Sequence, residues 1–310
     1  MEKPLIAITI RSFDPTGTLL KTIIEEFEII YLNSTGSRLS EDDLISAVQN
    51  ADFVIAGTER FSKKVLDSAK NLKAISRVGV GTDSIDLTEA ESRKVRILTT
   101  PEAPVIAVAE HALALLLSVM KRIPQYNTNI RQGDHSIISG SLLAGKTVGI
   151  VGMGRIGQRF SSILICMGCK IRYVDPFLKF PPNAEWEPVP TLGKLVETSD
   201  IISLHASPRV DGLPLINSAV LRHCKKGTIL INTARGILID ETALEQAVKD
   251  GIIVAAGLDV FIKEPYMGSL LKYSQIIVTP HIASNTNESR EQMEREAVDN
   301  LIHAKRSIFA

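Results

Sequence analysis

The stretch TVGIVGMGRIG, residues 147–157, decides the fold of this chain. Its first part, Val148–Val151, is rich in apolar β-branched residues and is typical of a buried strand. Gly152, Gly154 and Gly157 follow in the spacing G-x-G-x-x-G. Glycines at these positions allow a tight turn, close approach of the backbone to a pyrophosphate, and close packing of helix on strand. The pattern predicts the phosphate-binding loop of a dinucleotide site.

The residues after this loop complete the predicted unit. A helical pattern at 155–167 places Arg155 and Ile156 in its first turn, where a helix directs its backbone N–H groups and its positive dipole end at a pyrophosphate. The next strand pattern ends at Asp175, whose carboxylate can accept hydrogen bonds from ribose hydroxyls and repels a 2′-phosphate. We therefore expect NAD rather than NADP as cofactor. The alternative is a βαβ crossover whose glycines serve packing alone.

Composition bounds the remaining possibilities. The chain has 310 residues, of which 45% are hydrophobic, enough for two domains with their own cores. Lys+Arg and Asp+Glu are both 35, and this balance does not indicate a general nucleic-acid or membrane-surface binder, so we expect neither partner. The most apolar run, Val105–Met120, is too short to span a bilayer and predicts a buried helix. The start, Met-Glu-Lys-Pro, has no signal-peptide pattern, and we expect a cytoplasmic protein.

Strand and helix patterns alternate along the chain, which predicts an α/β fold with two doubly wound parallel-sheet domains. The dinucleotide unit begins halfway along the sequence. We therefore expect a Rossmann NAD-binding domain at 100–282, inserted in a flavodoxin-like substrate domain at 1–99 plus 283–310. Six strands are predicted in the NAD-binding domain. A single helical stretch at 105–131 is predicted to be interrupted at Pro124.

Cys166 and Cys169 have the spacing C-x-x-C, which occurs in redox and zinc sites. No second ligand pair accompanies them. We therefore predict buried thiols near the end of the helix, with redox chemistry as the alternative, and expect no metal site.

Three residues with complementary chemistry follow predicted strands of the NAD-binding domain. They are Arg235 in NTARG, Glu264 in KEP and His281 in TPHIAS. Hydride transfer to a carbonyl needs an acid/base near neutral pKa and a group that binds the substrate anion. Histidine and arginine suit these tasks. The alternative is a surface ion pair beside a loop histidine. Of the other histidines, we expect His111 and His205 to be structural.

The motifs together resemble the D-isomer-specific 2-hydroxyacid dehydrogenases over essentially the whole chain, and within them the D-3-phosphoglycerate dehydrogenases. The resemblance lies in RVGVGTD at 77–83, GMGRIG at 152–157, NTARG at 232–236, LDVF at 258–261 followed by Glu264-Pro265, and PHIAS at 280–284.

The resemblance implies roles for these positions. His281 would exchange the hydroxyl proton of the substrate, Glu264 would pair with it, and Arg235 would bind the substrate carboxylate. Three residues of the first domain would bind substrate: Arg77, Val78 and Gly79. The backbone N–H groups of Val78 and Gly79 would hold the substrate carboxylate. Further residues would line the cofactor: Val80, Ala206, Thr233, Ala234, Asp259 and Ser284. The resemblance also implies a homodimer.

The implied reaction is hydride transfer between a D-2-hydroxy acid and NAD. The expected small-molecule pair is 3-phosphoglycerate and 3-phosphohydroxypyruvate, with glyoxylate or hydroxypyruvate as the alternative. One departure concerns this choice, since the basic residue after the third strand is displaced to Arg60 in AGTER. A non-catalytic NAD(H) sensor and a formate or phosphite dehydrogenase are the other functions compatible with the pattern.

Overall fold

The computed structural model describes residues 2–14, 16–178, 180–181 and 183–309. The chain divides into two compact units, one formed by Met1–Pro104 with Asn285–Ala310 and the other by Val105–Ser284. The boundaries expected from the sequence, at 99/100 and 282/283, differ from these by a few residues. Within the described ranges, no helix is both long and apolar enough to cross a membrane.

The first unit contains a parallel sheet that has five strands in the described residues, in the order β2-β1-β3-β4-β5. Its strands are β1 Leu5–Ile8, β2 Glu28–Leu32, β3 Phe53–Ala56, β4 Ala74–Arg77 and β5 Arg96–Thr99. The helices between them are α1 Thr18–Glu26, α2 Glu41–Val48, α3 Lys63–Ser68 and α4 Leu87–Ser92. Every residue of β3 is buried, as expected for a central strand covered on both faces.

The start of α2 shows how local sequence fixes these helices. Ser40 is the N-cap, and its hydroxyl oxygen accepts a hydrogen bond from the Asp43 N–H, as in a capping box. The carboxylate of Asp43 accepts from the Ser40 hydroxyl at 2.6 Å, whereas the glutamate of a capping box reaches the backbone N–H.

The second unit contains a parallel sheet with seven described strands, in the order β12-β11-β10-β9-β6-β7-β8. The strands are β6 Thr147–Val151, β7 Lys170–Val174, β8 Trp186–Pro188, β9 Ile201–Leu204, β10 Thr228–Asn232, β11 Ile253–Leu258 and β12 Ile276–Val278. The helices are α5 Val105–Lys121, α6 Ile123–Arg131, α7 Arg155–Cys166, α8 Leu192–Thr198, α9 Ser218–Arg222 and α10 Glu241–Lys249. The order reverses direction between β6 and β9, which makes their carboxyl ends the expected ligand site. The last helix, α11 Asn287–Phe309, packs in the first unit.

The predicted fold class is confirmed, and three details of the prediction are wrong. The seventh strand, β8, was missed because it is three residues long and ends in Pro188. The helical stretch breaks at Arg122, which has a left-handed φ of 55°, and not at Pro124. Pro124 lies in the first turn of α6, where a missing N–H breaks no helical hydrogen bond. Cys169 is buried but Cys166 is exposed, on the solvent face of α7.

The predicted buried helix at 105–120 is confirmed as α5. Its side chains, such as Leu116, lie in the same core as strands β6 and β10 and helix α7. The segment that follows differs sharply from α5, since no residue of α6 is buried within this unit.

Candidate active site

The glycine loop after β6 has three glycines in three different environments. Gly152 has a φ of 89°, and a Cβ there would lie 2.7 Å from the backbone of His205 and Ala206. A Cβ on Gly157 would lie 2.3 Å from the carbonyl oxygen of Gly152. A Cβ on Gly154 would meet no protein atom within 4 Å. The fold therefore requires Gly152 and Gly157, whereas Gly154 faces open space that a ligand can occupy.

Asp175 lies beside this loop, at the end of β7. Its Oδ2 accepts a hydrogen bond from the Met153 N–H at 2.8 Å, and its Oδ1 accepts from the Phe177 N–H at 2.9 Å. Both bonds fix the carboxylate next to the start of α7. Sequence reasoning missed the role of Met153, because an N–H donor carries no residue-type signal.

The loop after β10 contains a buried polar atom that fits a ligand. The Thr233 hydroxyl is buried and has no hydrogen-bond partner among the described residues. Such atoms are rare in folded proteins unless a ligand or water satisfies them. The open space at Gly154, the fixed Asp175 carboxylate and this hydroxyl together fit a dinucleotide, with Ala206, Ala234 and Ser284 in loops at the same edge of the sheet.

Arg235 projects from a turn that a buried asparagine holds. Asn232 Nδ2 donates to the Arg235 carbonyl oxygen at 2.9 Å, and its Oδ1 accepts from the Ala234 N–H at 3.0 Å. The Arg235 guanidinium donates from Nη1 to the Ala234 carbonyl oxygen at 2.7 Å. The side chain of Asn232 thus fixes the backbone on both sides of Ala234, a role that the motif alone did not reveal.

The Arg235 turn packs directly against the segment that leads to Glu264. A Cβ on Gly236 would lie 2.0 Å from the carbonyl carbon of Phe261 and 2.4 Å from the Ile262 nitrogen. No side chain fits at Gly236 without separating the two loops. This close approach sets the distance between the loops that carry Arg235 and Glu264.

Glu264 and His281 form a hydrogen-bonded pair. His281 Nδ1 lies 2.9 Å from Glu264 Oε2, and Glu264 Oε1 accepts from the Phe261 N–H at 3.1 Å. The His281 side chain is 47% exposed, so its ring is accessible. Its other nitrogen, Nε2, makes no hydrogen bond within the described part of the chain. A ring held at Nδ1 and open at Nε2 is suited to proton exchange with a substrate.

The loop that carries His281 wraps around the buried carboxylate of Asp259. Oδ1 accepts from the Thr279 hydroxyl at 2.6 Å and the Ile282 N–H at 2.9 Å, and Oδ2 accepts from the Ala283 N–H at 2.8 Å. The His281 N–H donates to the Asp259 carbonyl oxygen at 2.8 Å. His281 itself has a left-handed φ of 56°, which turns the following N–H groups toward the carboxylate.

The hydrogen bonds of Asp259 lower the pKa of its carboxyl by more than burial raises it. Burial alone would raise the pKa of the carboxyl, but donors from His111, Thr279 and two backbone N–H groups hold that pKa below its ordinary value. Asp259 is therefore an ionised structural centre of this loop. Its predicted contact with the cofactor stays a prediction.

Among the other histidines, His205 is held inside the second unit. Its Nε2 lies 2.9 Å from the Ser203 hydroxyl, and its ring lies 5.2 Å from that of Phe160. Loss of hydration lowers the pKa of His205 to about 4. His223 and His303 are exposed. Over the described residues, no group of three or more His, Cys, Asp or Glu side chains could hold a metal ion.

The first unit corrects one part of the predicted substrate site. The Val78 N–H donates to the Ala56 carbonyl oxygen at 2.8 Å, and the Gly79 N–H donates to the Thr100 hydroxyl at 2.7 Å. Neither N–H is therefore available to a substrate carboxylate, which corrects the role that the resemblance implied for them. Arg77 folds back over Gly79 and donates from Nη1 to the Val78 carbonyl oxygen at 3.1 Å.

The next two backbone N–H groups, those of Val80 and Gly81, differ from those of Val78 and Gly79. Among the described residues, neither Val80 N–H nor Gly81 N–H donates a hydrogen bond. The Val80 side chain, predicted to line the cofactor, is 45% exposed.

Comparison with known proteins decides the family. The sequence profile for "D-isomer specific 2-hydroxyacid dehydrogenase, NAD binding domain" matches residues 113–283. A glyoxylate reductase from Thermofilum pendens is 36% identical over 97% of this chain and 91% of its own length. The chain belongs to the D-isomer-specific 2-hydroxyacid dehydrogenases. This dehydrogenase therefore has the NAD-binding domain of that family and acts as an NAD-dependent oxidoreductase.

Other relatives of the dehydrogenase differ in length and named substrate. A D-3-phosphoglycerate dehydrogenase from Mycobacterium tuberculosis is 35% identical over 84% of this chain, which spans 50% of that relative. The structure of a glyoxylate reductase from Paecilomyes thermophila superimposes with a TM-score of 0.88 at 25% identity, over 97% of this chain and 95% of the other. The structure of an NADPH-dependent glyoxylate/hydroxypyruvate reductase from Sinorhizobium meliloti, solved with NADP and malonate, superimposes with a TM-score of 0.85 at 28% identity. The match covers 97% of this chain and 93% of the other.

The different environments of two glycines give a direct test of the glycine loop. Gly154→Ala should leave thermal stability unchanged, because its Cβ meets no protein atom, yet weaken NADH binding at least about tenfold by blocking the pyrophosphate. Gly157→Ala should lower the melting temperature, because its Cβ would overlap the Gly152 carbonyl. Calorimetry and NADH titration measure both effects. Equal NADH affinity of Gly154→Ala and wild type would contradict a close approach of the Gly154 backbone to the pyrophosphate.

The low pKa of His205 predicts a pH dependence of stability. Histidine in an unfolded chain titrates near about 6.5, and His205 in the folded protein near about 4, so the unfolded state binds the proton first. The contribution of neutral His205 is complete above pH about 6.5 and is lost as pH falls toward 4, by up to about 1.4 kcal/mol per pH unit. The free energy of unfolding can be measured at each pH by urea titration, followed by the fluorescence of the single tryptophan, Trp186. Its slope against pH should be smaller for His205→Asn than for wild type. The exposed-site control His223→Asn should keep the wild-type slope, and equal slopes in all three would contradict the assignment.

Proposed function

We propose that the protein interconverts a D-2-hydroxy acid and its 2-keto acid with His281 as acid/base, Glu264 as its partner and Arg235 as the carboxylate-binding group. The observation that carries this proposal is the 2.9 Å contact between His281 Nδ1 and Glu264 Oε2. It leaves His281 Nε2 toward solvent, beside loops that fit a dinucleotide. The Arg235 turn is fixed against the same segment through Gly236.

In the proposed reduction, His281 Nε2 donates its proton to the carbonyl oxygen of the keto acid. Bound NADH supplies the hydride. Glu264 accepts the Nδ1–H hydrogen bond, which orients the ring and favours the imidazolium that must donate. The guanidinium of Arg235 binds the carboxylate and carbonyl oxygens, a two-point contact that lysine would reproduce poorly. In oxidation, neutral His281 takes the hydroxyl proton.

Within the first unit, we propose the N–H groups of Val80 and Gly81 as the anion-binding donors. This replaces the pair predicted from the sequence, Val78 and Gly79, whose N–H groups bind within the first unit. Two successive backbone N–H groups that no described protein acceptor uses can both donate to an anion.

For the substrate itself, we propose 3-phosphohydroxypyruvate and its product 3-phosphoglycerate. Three arginines, Arg11, Arg60 and Arg77, follow or end the adjacent strands β1, β3 and β4, and carboxyl ends of parallel strands share one edge. Arg11 and Arg60 are exposed. Burial raises the pKa of the neighbouring Glu59 carboxyl, whose Oε2 accepts a hydrogen bond from the Gly57 N–H. A phosphate is the substituent that this positive edge favours.

The second candidate is a small unphosphorylated acid, glyoxylate or hydroxypyruvate. It is favoured by the relatives that match this chain over nearly their full length, among them the glyoxylate reductase from Thermofilum pendens and a hydroxypyruvate reductase from Thermotoga maritima, 34% identical over 93% of this chain and 94% of the relative.

A panel of 2-keto acids tested with NADH and with NADPH separates these proposals. We expect the highest kcat/KM with 3-phosphohydroxypyruvate and NADH. Arg60→Gln should lower the rate with that substrate but not with hydroxypyruvate, which differs only in the phosphate. NADH should be preferred over NADPH at least about tenfold, because Asp175 repels the 2′-phosphate, and Asp175→Ala should narrow this preference. A preference for glyoxylate would support the second candidate, comparable rates with both cofactors would contradict the role of Asp175, and no turnover of any acid would contradict the proposed reaction.

The catalytic roles have distinct kinetic consequences. His281→Ala should lower kcat by roughly 10²–10⁴-fold and leave NADH affinity nearly unchanged. Glu264→Gln removes the charge that stabilises the imidazolium, so the pH profile of keto-acid reduction should shift toward acid. Profiles of kcat/KM in both directions measure this. An unshifted profile in Glu264→Gln would contradict the pair, and near-normal turnover of His281→Ala would contradict the assigned base.

We also propose a homodimer. The segment after α5 exposes large apolar side chains: Ile123 at 56% and Ile130 at 59% on helix α6, which has no buried residue, and Ile137 at 90% and Leu142 at 68% in the stretch that follows it. Large apolar side chains exposed together in one segment favour a protein interface. Sedimentation equilibrium should give about twice the 33.8 kDa chain mass, and Ile130→Asp with Ile137→Asp should give the monomer. A wild-type monomer at micromolar concentration would contradict the proposal.

A further inference from the structure

His111 is a polar side chain on the otherwise apolar inner face of α5. Its neighbours on that face, including Val108, Ala112 and Leu115, are buried in the core. The imidazole instead meets the loop that carries His281, with Nε2 at 3.0 Å from Thr279 Oγ1 and 3.5 Å from Asp259 Oδ1. The ring is 18% exposed, so it is largely removed from solvent.

The directions of these hydrogen bonds follow from the donors available. Asp259 accepts two backbone N–H groups and is ionised, so it can only accept from Thr279. The single hydroxyl proton of Thr279 is therefore used toward Asp259, at 2.6 Å. Thr279 Oγ1 must accept from His111, which places a proton on His111 Nε2. The result is a directed relay from His111 through Thr279 to Asp259.

We propose that His111 is a positioning residue for the acid/base: its Nε2–H, through the Thr279 hydroxyl, holds the buried carboxylate around which residues 279–283 are ordered. The relay rests on the proposed function of His281, since it matters for turnover only if that ring exchanges the proton. It joins α5, whose inner face lies in the hydrophobic core, to the loop that carries His281. Sequence alone gives no sign of it, because 168 positions separate His111 from Thr279.

The physical consequence is that His111 affects the placement of the His281 ring and does not affect binding of the keto acid. Without its N–H donor, Thr279 loses one of two hydrogen bonds, and the hydroxyl is free to rotate away from Asp259. The N–H groups of Ile282 and Ala283 then lose part of the acceptor that fixes them, and the His281 ring samples more orientations. We expect kcat to fall while KM for the keto acid stays, because the carboxylate-binding groups lie in other loops.

Matched substitutions separate this relay from ordinary packing. His111→Leu removes the donor and keeps the volume, whereas His111→Gln keeps an N–H donor. Thr279→Val removes the hydroxyl in the same shape, whereas Thr279→Ser keeps it. His223→Leu, at an exposed histidine of the same unit, is the control. The measurements are kcat and KM with the best keto acid and NADH, and amide hydrogen exchange of Ile282 and Ala283 without cofactor.

We expect kcat to fall about tenfold in His111→Leu and in Thr279→Val, the size of one lost side-chain hydrogen bond. The Gln, Ser and His223 variants should stay within about threefold of wild type. The double variant His111→Leu/Thr279→Val should be no slower than either single variant, because each breaks the same relay. Exchange of both amides should accelerate in the same variants that lose kcat.

Two kinetic outcomes would overturn the proposal: additive effects of the two substitutions, or His111→Gln as impaired as His111→Leu. Unchanged exchange of Ile282 and Ala283 in Thr279→Val would do the same. Failure of the proposed function is separate, since it would show as wild-type protein that reduces no keto acid. In that case the exchange measurements still decide whether the relay orders the loop.

Discussion

The buried carboxylate of Asp259 is the interaction on which the candidate active site depends. A carboxylate removed from water costs several kcal/mol unless hydrogen bonds replace its hydration. Here Thr279, Ile282 and Ala283 supply those bonds from a single five-residue loop. The need to satisfy the charge therefore dictates the path of the backbone, and that path leaves His281 on the accessible side of the loop.

Hydrogen bonds and close packing also fix the other loops at this edge of the sheet. Asn232 bonds the backbone on both sides of the Arg235 turn, and Gly236 allows that turn to touch the segment before Glu264. Glu264 in turn meets His281. All of these contacts exist within the protein alone. Groups that are already oriented need little reorganisation when charge develops on a substrate, which is the main source of electrostatic catalysis.

Sequence alone predicted the parts of the site that short patterns encode. The glycine spacing identified the dinucleotide loop, and Asp175, Arg235 and His281 could be placed because each follows a recognisable strand. Patterns of this kind depend on neighbours within a few residues. A parallel sheet then brings the ends of such strands to one edge, so the constellation follows from topology.

What sequence could not predict depends on partners far apart in the chain. The Val78 and Gly79 N–H groups look like anion donors in a glycine-rich loop, yet Ala56 and Thr100 use them. The role of Thr279 likewise depends on Asp259, a contact between different loops. The strand β8 was missed for a local reason, since three residues ending in proline give no periodic signal.

The ionisation of Asp259 tests this account most directly, because burial and hydrogen bonding pull its pKa in opposite directions. Carboxyl ¹³C chemical shifts of aspartate-labelled protein, assigned by comparison with Asp259→Asn, can be followed against pH without cofactor. If the loop is organised by a charge, the Asp259 signal stays that of a carboxylate at every pH above about 4, the ordinary value for aspartate. Protonation at neutral pH would show that burial outweighs the hydrogen bonds, and it would contradict the claim that an ionised Asp259 holds His281 in place.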